Sequence, residues 1–197
     1  MASPEIVIVG AGPAGMVLAY QLVTNGIPVR VLERHGDFDR EFRGELINPV
    51  VLGPLEKLGV LQLATQRGDA RPNVLRRLFV GKTREVMVPG GKELGSLISQ
   101  PGFLQLLHEL CSKHPHYRMD FNTTVLETMS ESGAVVAVKT RKDGVEGRVD
   151  GRTFIICNGR NSALRKSAGL SSEAFTEGAD VLWLRRDFSD AQDALPA

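Results

Sequence analysis

Cysteine is scarce in this chain of 197 residues: Cys111 and Cys157 are the only two, and no C-x-x-C spacing occurs. That excludes a disulfide framework and a tetrathiolate metal site, and it fits a reducing, cytoplasmic compartment. An excess of either charge is also lacking. With 24 basic against 23 acidic residues and a net charge of +1, there is no electrostatic case for nucleic acid. No apolar run approaches the ~20 residues that span a bilayer, and Met1-Ala2-Ser3-Pro4-Glu5 has no basic n-region of a secretory leader. Internal repeats and low-complexity segments are absent as well. What remains is ordinary globular material, 42% hydrophobic and 24% charged. At roughly 150 residues per domain, the length suggests one domain and part of a second, enough to bury a core.

The first residues read as a β-α-β unit. Ile6-Val7-Ile8-Val9 is a short apolar run rich in β-branched residues, the pattern of a buried parallel strand. Helix formers follow over residues 14–25, with Leu18 and Leu22 on one face. Asn25-Gly26 stops that helix and Pro28 prevents it resuming. Val29-Arg30-Val31-Leu32 is the next strand, and the short connection requires a right-handed parallel crossover.

Further on, residues 36–44 are polar and loop-like. Leu52, Leu55, Leu58 and Leu61 have helical spacing, interrupted near Gly59. Residues 75–88 carry two apolar-polar runs around Gly81-Lys82, a hairpin pattern. Pro101 suits the first turn of a helix whose stripe is Phe103, Leu106, Leu107, Leu110 and Cys111. Residues 135–139 and 149–157 flank Asp143-Gly144, a strong hairpin turn signal.

The run Gly10-Ala11-Gly12-Pro13-Ala14-Gly15 directly follows the first strand and opens the first helix. Its first glycine makes the tight turn, its second lets backbone approach a pyrophosphate, and its third permits close helix-strand packing. The helix N-terminus offers N–H groups and a positive dipole end to phosphates. Glu33 ends the second strand 18 residues beyond Gly15, where a carboxylate accepts ribose hydroxyls and repels a 2′-phosphate. The ligand implied is an ADP-containing dinucleotide; this unit alone does not separate NAD from FAD.

Other segments resemble the FAD-dependent aromatic hydroxylases of the para-hydroxybenzoate hydroxylase type, from Ile6 to about Arg185. Leu32-Glu33-Arg34 is similar to the end of that family's second strand. Arg43-Gly44-Glu45, with Pro49 and Leu58-Gly59 beyond, resembles its arginine loop near the flavin and pyrophosphate. Ser99-Gln100-Pro101 is similar to the segment that brings a glutamine near the ribityl chain, and Val125 falls where backbone meets adenine. Cys157-Asn158-Gly159-Arg160-Asn161-Ser162-Ala163-Leu164-Arg165 looks like the second fingerprint, D-G-x-x-S-x-x-R, with Asn158 in place of the aspartate. On the residues alone, that segment is strand, turn and a short helix capped by Ser162, again at the ligand-binding edge of a sheet.

The resemblance implies an α/β fold: a Rossmann-like FAD-binding domain with a parallel sheet plus an antiparallel hairpin layer. It implies a FAD-binding domain over residues 1–178, then the start of a truncated substrate domain and a frayed tail over 179–197. Val181-Leu182-Trp183-Leu184-Arg185 is the expected opening strand. The family's third fingerprint, a Gly-Asp pair, belongs beyond residue 197, as does most of the substrate sheet. The cofactor implied is FAD, with NAD(P)H as reductant and an aromatic small molecule as substrate. The expected chain self-associates or needs a complementary chain; the alternatives are a non-catalytic FAD-binding module or one half of a split enzyme. An NAD-dependent dehydrogenase leaves Arg43 and the second fingerprint unexplained.

Other residues read as structural. His114-Pro115-His116 is an exposed loop rather than a metal pair, and His108 with Cys111 belongs to a packed helix face. Cys157 reads as a buried, unreactive thiol, and Arg67, Arg71, Arg76 and Arg77 as a solvated basic face.

Overall fold

The structure, a computed structural model, describes residues 6–39, 46–72, 75–80, 84–89, 95–159, 162–167, 169–171 and 173, with backbone alone for 75–80 and 84–89. The opening unit forms as the sequence predicts: β1 (Ile6–Val9), α1 (Pro13–Thr24) and β2 (Val29–Leu32). Then come β3 (Leu46–Ile47), α2 (Pro49–Lys57), α3 (Val60–Gln66), β4 (Ala70–Pro72), β5 (Leu75–Val80), β6 (Arg84–Pro89) and β7 (Ser96–Ile98). The later elements are α4 (Gln100–Cys111), β8 (Tyr117–Asp120), β9 (Thr123–Glu131), β10 (Ala134–Lys142), β11 (Val145–Asp150), β12 (Thr153–Ile156) and α5 (Ala163–Ser167).

The frame of the molecule is a four-stranded parallel sheet in the order β12-β1-β2-β8. Its two faces are covered differently. On one, Ile8, Val29 and Val31 pack with Met16 and Ala19 of α1 and Phe103, Leu104 and Leu107 of α4. On the other, Val7 and Leu32 meet Val138 and Val149 of the antiparallel sheet β11-β10-β9, with Val125 and Phe154 at its margin. A parallel sheet covered on both faces needs apolar side chains on both, which is why β1 reads as a continuous run rather than an alternation. A second antiparallel sheet, β3-β7-β4, and the hairpin β5-β6 complete the described strands.

Three details differ from the sequence reading. First, α1 buries Gly15, Met16, Ala19 and Val23, whereas Leu18 and Leu22 are half-buried at the margin of the core. Small residues on the inner stripe let the helix lie close to the sheet. Second, the run 149–157 is two strands: β11 ends at Asp150, and after Gly151 the chain enters the parallel sheet as β12. A Cβ at Gly151 would lie 2.7 Å from Val7 Cγ2, so the crossing between sheets passes too close to β1 for a side chain. Third, Phe154-Ile155-Ile156-Cys157 reads as a buried strand, yet β12 is the outer strand of its sheet among the described residues, with Phe154, Ile155 and Cys157 half-buried and Ile156 exposed.

Turn chemistry sets the meander. Asp143 and Gly144, at φ 50° and 81°, join β10 to β11, and Ser132 and Gly133, at φ 49° and 82°, join β9 to β10. Both pairs have the positive φ values that match the right-handed twist of a two-residue hairpin. His116 is not merely a loop residue: its Nε2 lies 2.8 Å from the carbonyl oxygen of Val23, satisfying an acceptor at the end of α1. Of the basic face, Arg67 bridges Asp69 at 3.1 Å and Glu109 at 2.7 Å and Arg71 is exposed, while the side chains of Arg76 and Arg77 lie outside what the structure describes.

Leu107 has no exposed surface and lies between α4 and the parallel sheet. Leu107→Ala is expected to cost about 2–5 kcal/mol. Val50, which is 83% exposed, is expected to tolerate alanine within about 0.5 kcal/mol. Urea unfolding of the two variants measures the contrast, and equal losses would contradict this assignment of the core.

Candidate functional site

Because every strand of the β12-β1-β2-β8 sheet is parallel, their carboxyl ends emerge along one edge. Val9 aligns with Ile156 and Leu32, and Leu32 aligns with Asp120. The backbone ladder continues one step past the strands. Gly10 N–H donates to Leu32 O at 2.8 Å, Cys157 N–H to Val9 O at 2.7 Å, and Glu33 N–H to Asp120 O at 2.9 Å. Gly10, Glu33 and the turn at Asn158 thus reach the same edge, where ligands bind in open α/β sheets.

The three glycines of the first motif have different reasons to be glycine. Gly10 has φ +102°, and a Cβ there would lie 2.6 Å from the carbonyl oxygen of Cys157 and 3.0 Å from Asn158 Cα. The first fingerprint is therefore packed directly against the second. At Gly15 a Cβ would lie 2.0 Å from Gly10 O, so the first turn of α1 closes tightly on the loop. Gly12 is different: its φ is −73°, and an added Cβ would meet nothing within 4 Å. Neither fold nor backbone conformation demands glycine at Gly12, and the approach to the helix N-terminus is open there. Pro13 and Ala14 follow, exposed, and α1 starts without a side-chain cap or an acidic residue in its first turn. Its positive end is left for a ligand anion.

Glu33 is 3% exposed. Its Oε2 accepts from Ala11 N–H at 2.6 Å, and its Oε1 accepts from His35 N–H at 3.0 Å and lies 2.7 Å from His35 Nδ1. The carboxylate thus ties the glycine loop to the segment after β2, and charge-assisted bonds of this kind are the stronger class. Ala11 and His35 were not among the residues singled out from the sequence; a histidine two residues beyond the acid was the available signal. Arg34, next to Glu33, is exposed.

Around this centre, Asn158 is exposed and Gly159 has φ +87°. Buried Ser162 accepts from Arg165 N–H at 3.2 Å, capping α5, which packs against β9. Val125, in β9 opposite Thr140, packs half-buried against the cluster of Val7 and Leu32. Gln100 opens α4 behind its N-cap Ser99 and is half-buried. Arg43 and the segment 181–185 lie outside the described residues. Arg165 Nε is buried with no acceptor among the described residues. An open glycine, an uncapped helix start and a buried carboxylate at one sheet edge together fit a dinucleotide with its phosphates at α1 and its ribose at β2.

Burial pushes the Cys157 thiol up and that of Cys111 up to about 12, so neither is a thiolate at neutral pH. Among the described residues no group of three His, Cys, Asp or Glu is placed to hold a metal.

Gly15→Ala is expected to destroy the fold or lower its melting temperature sharply, because the Gly10 carbonyl occupies the new methyl's place. Gly12→Ala lacks that clash and is expected to stay within about 1 kcal/mol of the parent. Thermal unfolding of both variants measures this; a Gly12→Ala protein that melts as low as Gly15→Ala would refute the assignment.

The chain matches the family model described as FAD binding domain over residues 4–194. It is 32% identical over 193 residues to the 6-methylpretetramide 4-monooxygenase of Streptomyces rimosus, a match covering 93% of this chain and 45% of that protein. It is 32% identical over 171 residues to squalene monooxygenase 1,2 of Brassica napus, covering 83% of this chain and 33% of that one. The crystal structure of p-nitrophenol 4-monooxygenase from Pseudomonas putida DLL-E4 superposes with a TM-score of 0.77 at 20% identity, covering 89% of this chain and 46% of that one. At that identity the likeness establishes the fold. The chain spans less than half the length of each of these proteins.

Proposed function

The chain belongs to the FAD binding domain family, and from that premise we propose that it is the FAD-holding part of a flavin-dependent monooxygenase of the aromatic-hydroxylase type. The observation that carries the reading is the packing of Gly10 under the Cys157 carbonyl, which unites two fingerprints and a buried carboxylate at one sheet edge. "Monooxygenase" is also the word shared by the names of the three similar proteins.

In this reading Gly10, Gly12, Pro13, Ala14 and Gly15 wrap the pyrophosphate at the start of α1, with the helix dipole opposing its charge. Glu33 accepts the ribose hydroxyls, Arg34 stands at the solvent side, and Val125 offers backbone to the adenine. Asn158 and Ser162 shape the second loop, while Gln100 and Arg43 serve the ribityl and flavin end. Bound FAD supplies the electron transfer and oxygen activation; the chain orients it and excludes water. NAD(P)H as reductant, an aromatic small molecule as substrate and a cytoplasmic location complete the proposal. So do a domain boundary near residue 178 and self-association or docking on a complementary chain. Among the described residues no helix is long and apolar enough to cross a membrane.

The first test is equilibrium binding of FAD and NAD to the purified chain. FAD is expected to bind more tightly, and tighter NAD binding would overturn the reading. The second test is Glu33→Ala. Losing charge-assisted bonds worth on the order of 1.5–3 kcal/mol is expected to weaken FAD binding tenfold or more. Unchanged affinity by fluorescence titration would move the ribose site elsewhere.

A further inference from the structure

We infer that Phe38 is a positioning residue for the adenosine end of FAD, a buried peg that fixes the turn through which His35 holds Glu33. The inference rests on the FAD reading above and extends it to residues outside the set proposed there to hold the cofactor.

The segment after β2 is built from exposed residues: Arg34, His35, Gly36, Asp37 and Asp39 all face solvent. Phe38 is the exception at 4% exposed. Its ring lies edge-on to Phe121 at 5.4 Å and tilted to His108 at 5.7 Å. That cage is itself braced. His108 packs edge-on to Phe121 at 5.6 Å, and its Nδ1 lies 3.0 Å from the hydroxyl of Tyr117. Edge-to-face aromatic contacts at such separations have a preferred geometry as well as an apolar drive. The cage thus joins α4, β8 and the residues just past β8 to a single side chain of the segment.

From Phe38 the constraint runs back to the carboxylate. Asn122 N–H donates to His35 O at 3.1 Å and Thr123 N–H to Glu33 O at 2.8 Å, so the segment and the start of β9 are laced together. His35 then contributes both its N–H, at 3.0 Å, and its Nδ1, at 2.7 Å, to Glu33 Oε1. The other oxygen, Oε2, holds Ala11 N–H of the glycine loop at 2.6 Å. Without the peg, a run of solvent-facing residues would keep its course by hydrogen bonds open to competition from water. The Glu33 carboxylate would then sample positions that a ribose cannot use.

The test compares Phe38→Ala, Phe38→Leu, His35→Ala and a control, Val23→Ala, at a buried site towards the C-terminal end of α1. Two quantities are read: dissociation constants for FAD and for ADP, and exchange of the Ala11 and His35 amides without ligand. Phe38→Ala is expected to weaken both ligands about tenfold, the scale of one lost charge-assisted bond, and to speed both amides. Phe38→Leu is expected to restore most of each, and His35→Ala to weaken ADP by itself. Val23→Ala is expected to lose stability and leave affinity unchanged. If Phe38→Ala behaves as Val23→Ala does in affinity and exchange, the inference is wrong. Should Phe38→Ala not fold, parent-like ADP affinity in His35→Ala overturns it instead. A parent chain that binds neither ligand would refute the FAD reading, and faster Ala11 and His35 exchange in Phe38→Ala, restored in Phe38→Leu, would still distinguish the peg from that failure.

Discussion

The backbone at Gly10 passes beneath the carbonyl of Cys157 with no room for a side chain between them. Much of the site depends on that contact. It fixes the glycine loop against the end of β12, sets where α1 begins, and brings the turn at Asn158 beside the helix N-terminus. Glu33 closes the arrangement from the opposite side by holding Ala11. The loop is thus gripped between a neighbouring backbone and a carboxylate, and a rigid loop offers its N–H groups without first having to be ordered.

Legibility followed the range of the interactions. β1 and β2 were readable to the residue, and α1 nearly so, because strand, turn and helix stop are written in adjacent residues. Asp143-Gly144 was readable for the same reason. β8 was not: Tyr117-Arg118-Met119-Asp120 has no apolar run, and it is a strand because β2 lies beside it and Asp120 pairs with Arg30. β9 mixes polar and apolar positions and depends on its partner β10. The division between β11 and β12 arises where Gly151 crosses Val7, a contact between residues far apart in the chain.

The site divides in the same way. The roles of Gly10, Gly15 and Glu33 could be argued from spacing, since their motif carries its own geometry. Gln100 and Val125 come through resemblance alone, because nothing local marks a residue whose role depends on a distant loop; the turn at Asn158 and the cap at Ser162 are local signals, and only their part in a second fingerprint comes through resemblance. His35 and Phe38 escaped both routes. Their significance lies in contacts to Glu33 and to the aromatic rings of α4 and of the chain near β8, which sequence periodicity does not encode.

The order of strands in the parallel sheet has a consequence for how this architecture is reached. The bond from Ala11 to Glu33 encloses a separation of 22 residues, whereas the contact of His116 with Val23 encloses 93. The pairing of Ile6 with Thr153 encloses more still. Closing a longer stretch of chain costs more entropy, though only logarithmically. The glycine loop and its carboxylate therefore belong to the locally assembled part of the molecule, and the wall supplied by β12 to its most distant contacts. A β1-α1-β2 fragment would carry the whole glycine signature and still lack the surface that presses the loop into shape.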